Sequence, residues 1–265
     1  MFHVFVKKNK NFFELILYTI SILFFLFIFT VLFSLFISTS FIEFLNQLNS
    51  PLVIYSIFIS LETSLIVVII TLIIGLPVSY ILALSNLKFK KLLDTLLDLP
   101  IIIPPLVSGL ALLVLLSANG LLGKLLYDWN IKIIFTKKGI IIAQLFVASP
   151  FFIKMVKEGI SKIPKDILDA SSTLGASPSY TFFYIIIPMA RKELISGIIM
   201  TWARALGEFG ATAMVAGCIP QKTSTMTITI YTQAMSGDLS SSIALALILI
   251  TLSSLIILII KSKFS

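Results

Sequence analysis

The sequence predicts an all-α membrane protein of six transmembrane helices, both termini cytoplasmic, with a pair of short cytoplasmic helices between the fourth and fifth spans. Three observations predict it. Of 265 residues, 58% are hydrophobic and 12% are charged, and the mean hydropathy is +1.09. A soluble domain carries about 25% charged residues, so too little polar surface is present here to cover a water-soluble particle. Second, six apolar stretches reach or approach the roughly 20 residues that cross a bilayer as a helix. Third, lysine and arginine are unevenly shared between the connecting segments, which orients the chain. The length suits one transmembrane domain over residues 1–265.

The spans follow in order. Residues 12–37 form the first, and its Phe-rich part, 24–36, is read as lipid-facing. This run is longer than the apolar core of a signal peptide and no small-residue cleavage site follows it. Residues 55–84 form the second, with Glu62 near its outer start read as a solvated or interfacial residue. The third, 99–116, opens on Pro100, Pro104 and Pro105. A double proline past the first turn implies a kink, which reads either as a fixed bend or as a hinge. Residues 139–156 form the fourth span, 194–215 the fifth and 243–260 the sixth. The outer segment 119–138 carries a short helix near 120–128.

With the N-terminus inside, Lys7, Lys8, Lys10, Lys88, Lys90, Lys91, Lys154, Lys157, Lys162, Lys165, Arg191, Lys192, Lys261 and Lys263 are cytoplasmic. Only Lys124, Lys132, Lys137, Lys138 and Lys222 are outside. The net charge of +8 therefore flanks apolar runs, as membrane anchoring requires, and does not form a nucleic-acid surface. The single cysteine, Cys218, and single histidine, His3, leave no disulfide and no His/Cys metal or nucleophile cluster. No G-x-x-x-x-G-K-[ST] phosphate loop occurs, so the chain does not bind ATP by that device. A membrane enzyme would need a convergent set of acid, base or metal ligands, which the sequence lacks.

The cytoplasmic stretch 157–192 is amphipathic. Pro164 suits a first helical turn, and Ile167, Leu168, Ala170, Ser171 and Leu174 place apolar or small residues on one helical face. Gly175 is free to take positive φ and end the helix. Ser177-Pro178 starts a second short helix running to Ile187, which Pro188 breaks before the fifth span. On the residues alone, such a knob either receives a push from a soluble partner or rests among lipid headgroups.

Arg204 and Glu208 lie near the middle of the fifth span, where a charge costs at least a few kcal/mol unless paired or facing water. Their i,i+4 spacing places them on one face, within mutual reach. Gly207, Gly210, Ala211 and Ala213 beside them admit a close helix neighbour. This face either lines a translocation path or its gate, with Arg204 assisting an anion, or holds the span against its neighbours by an ion pair.

The spacing D-A-S-x3-G-x9-I-x-x-P resembles the cytoplasmic EAA signature of ABC importer permeases. Asp169, Ala170 and Ser171 stand for its Glu-Ala-Ala, Gly175 for its glycine, followed by Ala176, and Pro188 for its terminal proline. Asp for Glu and Ser for Ala are departures that keep charge or size. The runs RALGEFGATAMVAGCIPQKTSTMTITIYTQAMSGDL, 204–239, and LDLPIIIPPLVSGLALL, 97–113, resemble molybdate permeases within the molybdate, tungstate and sulfate oxyanion importer family. The likeness covers about residues 55–260 and attaches no role to Cys218. It implies that segment 164–188 docks an ATPase, with Asp169, Ala170, Ser171, Gly175, Ala176 and Pro188 as coupling residues. It leaves Arg204, Gly207, Glu208 and Gly210 as pathway or gate candidates. It further implies a homodimer of this chain in the cytoplasmic membrane, two ABC ATPase subunits carrying ATP and Mg, and an extracytoplasmic oxyanion-binding protein. The chain itself then catalyses nothing and holds no cofactor or metal. Molybdate fits the resemblance first, then tungstate, then sulfate or thiosulfate. An ion-coupled secondary anion transporter and an anion channel are the alternatives. The first would show inverted repeats and more membrane carboxylates than Glu208 alone, and the second needs no docking knob.

Overall fold

The computed structural model describes the backbone of residues 2–264 and the side chains of 12–260 and 262. The expectations placed on His3, Lys7, Lys8, Lys10, Lys261 and Lys263 lie outside the described side chains. Among the described residues all regular structure is helical.

Helix α1 spans Phe2–Ile37, α2 Phe41–Leu48 and α3 Pro51–Leu84. Between Phe12 and Ile37 the large apolar side chains other than that of Leu35 are exposed, Phe24, Phe29, Phe33 and Phe36 among them, and none is buried. An apolar helix with no buried face is stable only in a medium as apolar as itself, so the lipid-facing reading of 24–36 agrees with the structure. Helix α2 has no counterpart in the sequence reading. Ser40 caps it by accepting the Glu43 N–H at 3.2 Å, and its exposed Phe41, Ile42 and Leu45 give it an apolar side.

The third expected span is not one helix. Helix α4, Lys90–Ile102, and α5, Pro105–Leu116, meet at 111°. Pro104 and Pro105 donate no N–H, and the residue before a proline is driven out of the helical region. Ile103 accordingly takes φ −69° and ψ 132°, and Pro105 restarts the helix at its first position. The sequence expectation was a kink; the structure has a corner. Pro100 stays inside α4.

Helix α6 spans Gly123–Asp128, starting later than expected, and α7 spans Lys137–Ser161. Next come α8, Lys165–Thr173, and α9, Pro178–Thr181, which runs on through a π-turn, Phe182–Ile186, into α10, Ile187–Met189. The expected fifth span is also divided, into α11, Arg191–Leu206, and α12, Gly210–Ala216. Helices α13, Met226–Met235, and α14, Leu239–Phe264, complete the chain. Among the described residues four helices are long and apolar enough to cross a membrane, and the bent α4–α5 pair makes a fifth candidate. The six spans of the sequence reading are thus amended at the third, where the expected kink is a corner, and at the fifth, which is divided.

The core is the packing of α3, α7 and α11. Phe152 of α7 fills it: a Cβ on Gly75 of α3 would lie 2.8 Å from the Phe152 ring, and one on Gly197 of α11 3.0 Å from its other edge. Two glycines let both backbones close on one aromatic ring, the small-residue packing that membrane helices use. Beside it, α12 lies against α5, where a Cβ on Gly109 would be 2.7 Å from the Ala211 Cα.

Candidate functional site

The helix pair between α7 and α11 is built by local rules. Helix α8 ends at Leu174, and Gly175 takes φ +79°. The Gly175 N–H donates to the Ser172 carbonyl at 3.0 Å and the Ala176 N–H to the Ser171 carbonyl at 3.1 Å. These two bonds across a left-handed residue are the Schellman termination, which satisfies carbonyls the helix end would orphan. Ser177 then starts α9 by accepting the Tyr180 N–H at 3.2 Å, with Pro178 in the first turn. The two helices are fastened to each other by Ser171 Oγ and Thr181 Oγ1, 2.6 Å apart.

This fastening turns α8. Leu168 packs on the apolar cluster of Phe152, Val156, Ile160 and Ile186, and Ser171 is buried. Ile167, Asp169, Ala170 and Leu174 face outward, Leu174 with 87% of its surface exposed. The single face expected for Ile167, Leu168, Ala170, Ser171 and Leu174 is therefore split into two adjacent lines: 168 and 171 point in, while 167, 170 and 174 point out. Ala176 is half-buried and Pro188 exposed. Pro164 precedes α8 as its cap instead of lying in its first turn.

Pro188 does not break the second helix. The Ile187 N–H reaches back five residues to the Phe182 carbonyl, so the turn before the proline is widened to a π-turn. A proline in a helix interior collides with the carbonyl four residues back, and a wider turn moves that carbonyl aside. The helical run continues to Met189 and turns at Ala190, whose φ and ψ of −88° and 12° leave the helical region.

At the division of the fifth span, Gly207 closes α11 and Glu208 lies beyond the helix end. Arg204 and Glu208 are in reach, as expected, but across a helix terminus and not along one face. Arg204 Nη1 lies 2.6 Å from Glu208 Oε2, with the Glu208 side chain fully buried and that of Arg204 27% exposed. The contact is a charge-to-charge pair at the edge of the buried site. The other carboxylate oxygen accepts the Ala211 N–H at 2.8 Å, satisfying a donor at the start of α12. The Glu208 carbonyl accepts from Thr227 Oγ1 at 2.8 Å. Gly210 lies so close to α5 that a Cβ there would be 3.0 Å from the Leu106 nitrogen, whereas a Cβ on Gly207 would meet only the Ala203 carbonyl at 3.4 Å.

Sequence reasoning missed three features of these surroundings. Gln144 of α7 is wholly buried, and among the described residues neither its amide nitrogen nor its oxygen has a partner; a lone glutamine in the run IIIAQLFV was the available signal. Asp94 and Asp98 of α4 form ion pairs with Lys157 and Lys154 of α7, readable as acids four apart facing lysines three apart. Glu62 is paired with Lys137 at the start of α7. Cys218 is exposed. Among the described residues no group of three His, Cys, Asp or Glu side chains is placed to hold a metal ion.

Residues 75–262 match the family model described as binding-protein-dependent transport system inner membrane component. The chain is 38% identical over 207 residues to a probable transport system permease protein, NifC, of Clostridium pasteurianum, covering 78% of this chain and 72% of that one. It is 35% identical over 225 residues to the sulfate transport system permease protein CysW of Synechococcus elongatus, covering 83% and 79%. It is also 30% identical over 218 residues to the sulfate transport system permease protein CysT of Salmonella typhimurium, covering 82% and 79%. In fold it is similar to a bacterial ABC transporter involved in import of the acidic polysaccharide alginate, with a TM-score of 0.72 at 15% identity, over 97% of this chain and 96% of that one. It is likewise similar to the MetNI methionine ABC transporter in inward-facing conformations, with a TM-score of 0.64 at 18% identity, over 80% and 94%.

Proposed function

The chain belongs to the family of binding-protein-dependent transport system inner membrane components, and from that premise we propose that it is the permease subunit of an ATP-driven importer of tetrahedral oxyanions. Its relatives are transport permeases and not enzymes, and the chain is a transport component in the same sense. Molybdate is the proposed cargo, followed by tungstate and then sulfate or thiosulfate. The likeness to the sulfate permeases supports the oxyanion class, and the run 204–239 supports the order within it.

The observation that carries the reading is the outward line Ile167, Ala170 and Leu174 on α8. An apolar ridge held rigid by the Gly175 termination and the Ser171–Thr181 bond, at the end of the bundle, has the form of a knob that enters a partner's cleft. In the proposal the end carrying α8 is cytoplasmic, both termini are inside, and the cleft belongs to an ATPase that binds ATP and Mg. Two ATPase subunits serve two permease subunits, which are two copies of this chain, and an extracytoplasmic binding protein delivers the anion. Asp169, Ala170, Ser171, Gly175, Ala176 and Pro188 couple; Arg204, Gly207, Glu208 and Gly210 stand at the path or its gate. ATP binding draws the two α8 knobs together and the helices anchored to them pivot outward; hydrolysis resets them.

Co-purification tests this. The tagged chain is expected to carry an ATPase subunit, and reconstituted uptake is expected to require ATP and the binding protein. Uptake driven by an ion gradient with no ATPase bound would overturn it. Calorimetry of the binding protein against molybdate, tungstate and sulfate fixes the cargo, and a sulfate-only isotherm would reverse the order proposed. A permease pair of this chain with a different one, in place of two identical copies, would correct the stoichiometry alone.

A further inference from the structure

Helix α4 is amphipathic in the opposite sense to a soluble surface helix. Its charged side is turned toward the protein: Asp94 and Asp98 pair with Lys157 and Lys154 of α7, and Lys90 Nζ donates to the Ala83 carbonyl at 3.1 Å. Leu97 on the same side packs against the cluster around Phe152 and Val156. Its other side is apolar and uncovered: Leu92, Leu96 and Leu99 are 56%, 51% and 41% exposed, with Ile102 at 74% and Phe89 at 71%. None of its residues is buried. In water this arrangement would expose leucines while turning the carboxylates toward protein lysines.

Two further observations say what covers that face. The axes of α4 and α5 meet at 111°, past a right angle. With α5 taken as the membrane-crossing arm of the pair, tilted by about 20° as such helices are on average, the bend turns α4 away from the membrane normal and toward the membrane plane. Among the described residues the charges without an ionic partner at its start are all positive: Lys88 and Lys91 are exposed, and Lys90 is held only by the neutral Ala83 carbonyl. The two acids of the helix are already neutralised by α7. An in-plane helix with leucines on one side and lysines at its edge is the form that binds an acidic lipid surface.

We propose that α4 is an interfacial binding surface for anionic phospholipid. Leu92, Leu96 and Leu99 sit at the acyl boundary, and Lys88 and Lys91 hold the headgroup phosphate. The ion pairs to α7 keep the two carboxylates away from that phosphate, so the surface offered to the headgroups carries a single sign of charge. The inference does not rest on the cargo or on the ATPase, and it stands or falls apart from the transport reading.

The test uses the full-length chain with Cys218→Ser in nanodiscs of phosphatidylcholine with or without phosphatidylglycerol. A spin label on Leu96→Cys is expected to be reached by oxygen more readily than by a water-soluble nickel chelate. Native mass spectrometry is expected to show preferential retention of phosphatidylglycerol, weakened about fivefold by each of Lys88→Gln and Lys91→Gln. A label reached freely by the chelate would overturn the burial of this face in lipid. Oxidative cross-linking of two copies through Leu96→Cys would assign it to a second copy of the chain. Equal phosphatidylglycerol retention by the double lysine variant would remove the headgroup site.

Discussion

Two residues decide most at the smallest scale. Gly175 is left-handed with nothing within 4 Å of where a Cβ would stand, so a substitution there is opposed by the backbone alone. Gly175→Val is expected to cost about 1–2 kcal/mol locally and to lower ATPase co-purification and uptake together. Gly175→Asn, whose side chain tolerates that conformation, is expected to retain both. Normal uptake by the valine variant would remove the docking role of this turn. Glu208 is the second. Its buried carboxylate caps α12 and faces Arg204, so Arg204→Ala strands a charge and is expected to destabilise by about 3 kcal/mol, the low end of the range for broken buried pairs because Arg204 is 27% exposed. Glu208→Gln in the same chain is expected to restore folding, measured by thermal melting in detergent. If uptake also returns in the double variant, the pair is structural and not a gate.

Elements are ended here by side chains as much as by sequence signals. Asp238 caps α14: its carboxylate accepts the Ser241 N–H at 3.0 Å and the Ser241 hydroxyl at 2.6 Å, while Gln47 of α2 donates to that hydroxyl at 2.6 Å. The Ser241 hydroxyl and then its N–H hold the Asp238 carboxyl below the usual carboxylate range. A lowered folded value means that this stabilisation is complete above the ordinary carboxylate range and is lost as pH falls through the lowered value. The melting temperature is expected to drop on that acid limb, and Asp238→Asn is expected to flatten this part of the profile; an unchanged profile would show that the cap does not contribute. Where α5 meets α12, Gly109→Val would press a Cβ to 2.7 Å from the Ala211 backbone, an overpacking expected to cost about 1–3 kcal/mol. Gly207→Ala, meeting only one carbonyl at 3.4 Å, is expected to fold normally, as melting curves of the two variants would show.

At the scale of the whole molecule the prediction concerns its orientation in the membrane. In a Cys218→Ser background, a membrane-impermeant thiol reagent is expected to label Asn130→Cys in intact cells and Leu174→Cys only after permeabilisation. The reverse pattern would invert the proposed topology. Leu97 and Leu168 pack into one apolar cluster with Ile163 and Ala190, so α4 and α8 share one end of the bundle, and the reagent's answer for Leu174 holds for the lysines of α4 as well.

Much of this was legible in the amino acids, because the governing physics is local or compositional. Apolar runs long enough to span, the positive φ of Gly175, the start at Ser177-Pro178 and the proximity of Arg204 to Glu208 each need only near neighbours in the chain. What the tertiary structure alone decided is where those runs stop being straight. Residues 194–215 read as one span, yet Gly210 closing on Pro105 and Leu106, and Glu208 turning inward to the Ala211 N–H, divide them. Pro188 read as a breaker, yet a π-turn absorbs it. The apolar periodicity of α8 specified a stripe, but the Ser171–Thr181 bond chose which residues of it face out. Residues 99–102 looked like the opening of a span until the corner at Pro104 made them the end of α4, whose earlier residues read only as a cytoplasmic segment. Periodicity reports which residues share a face; only packing from distant parts of the chain sets where that face points.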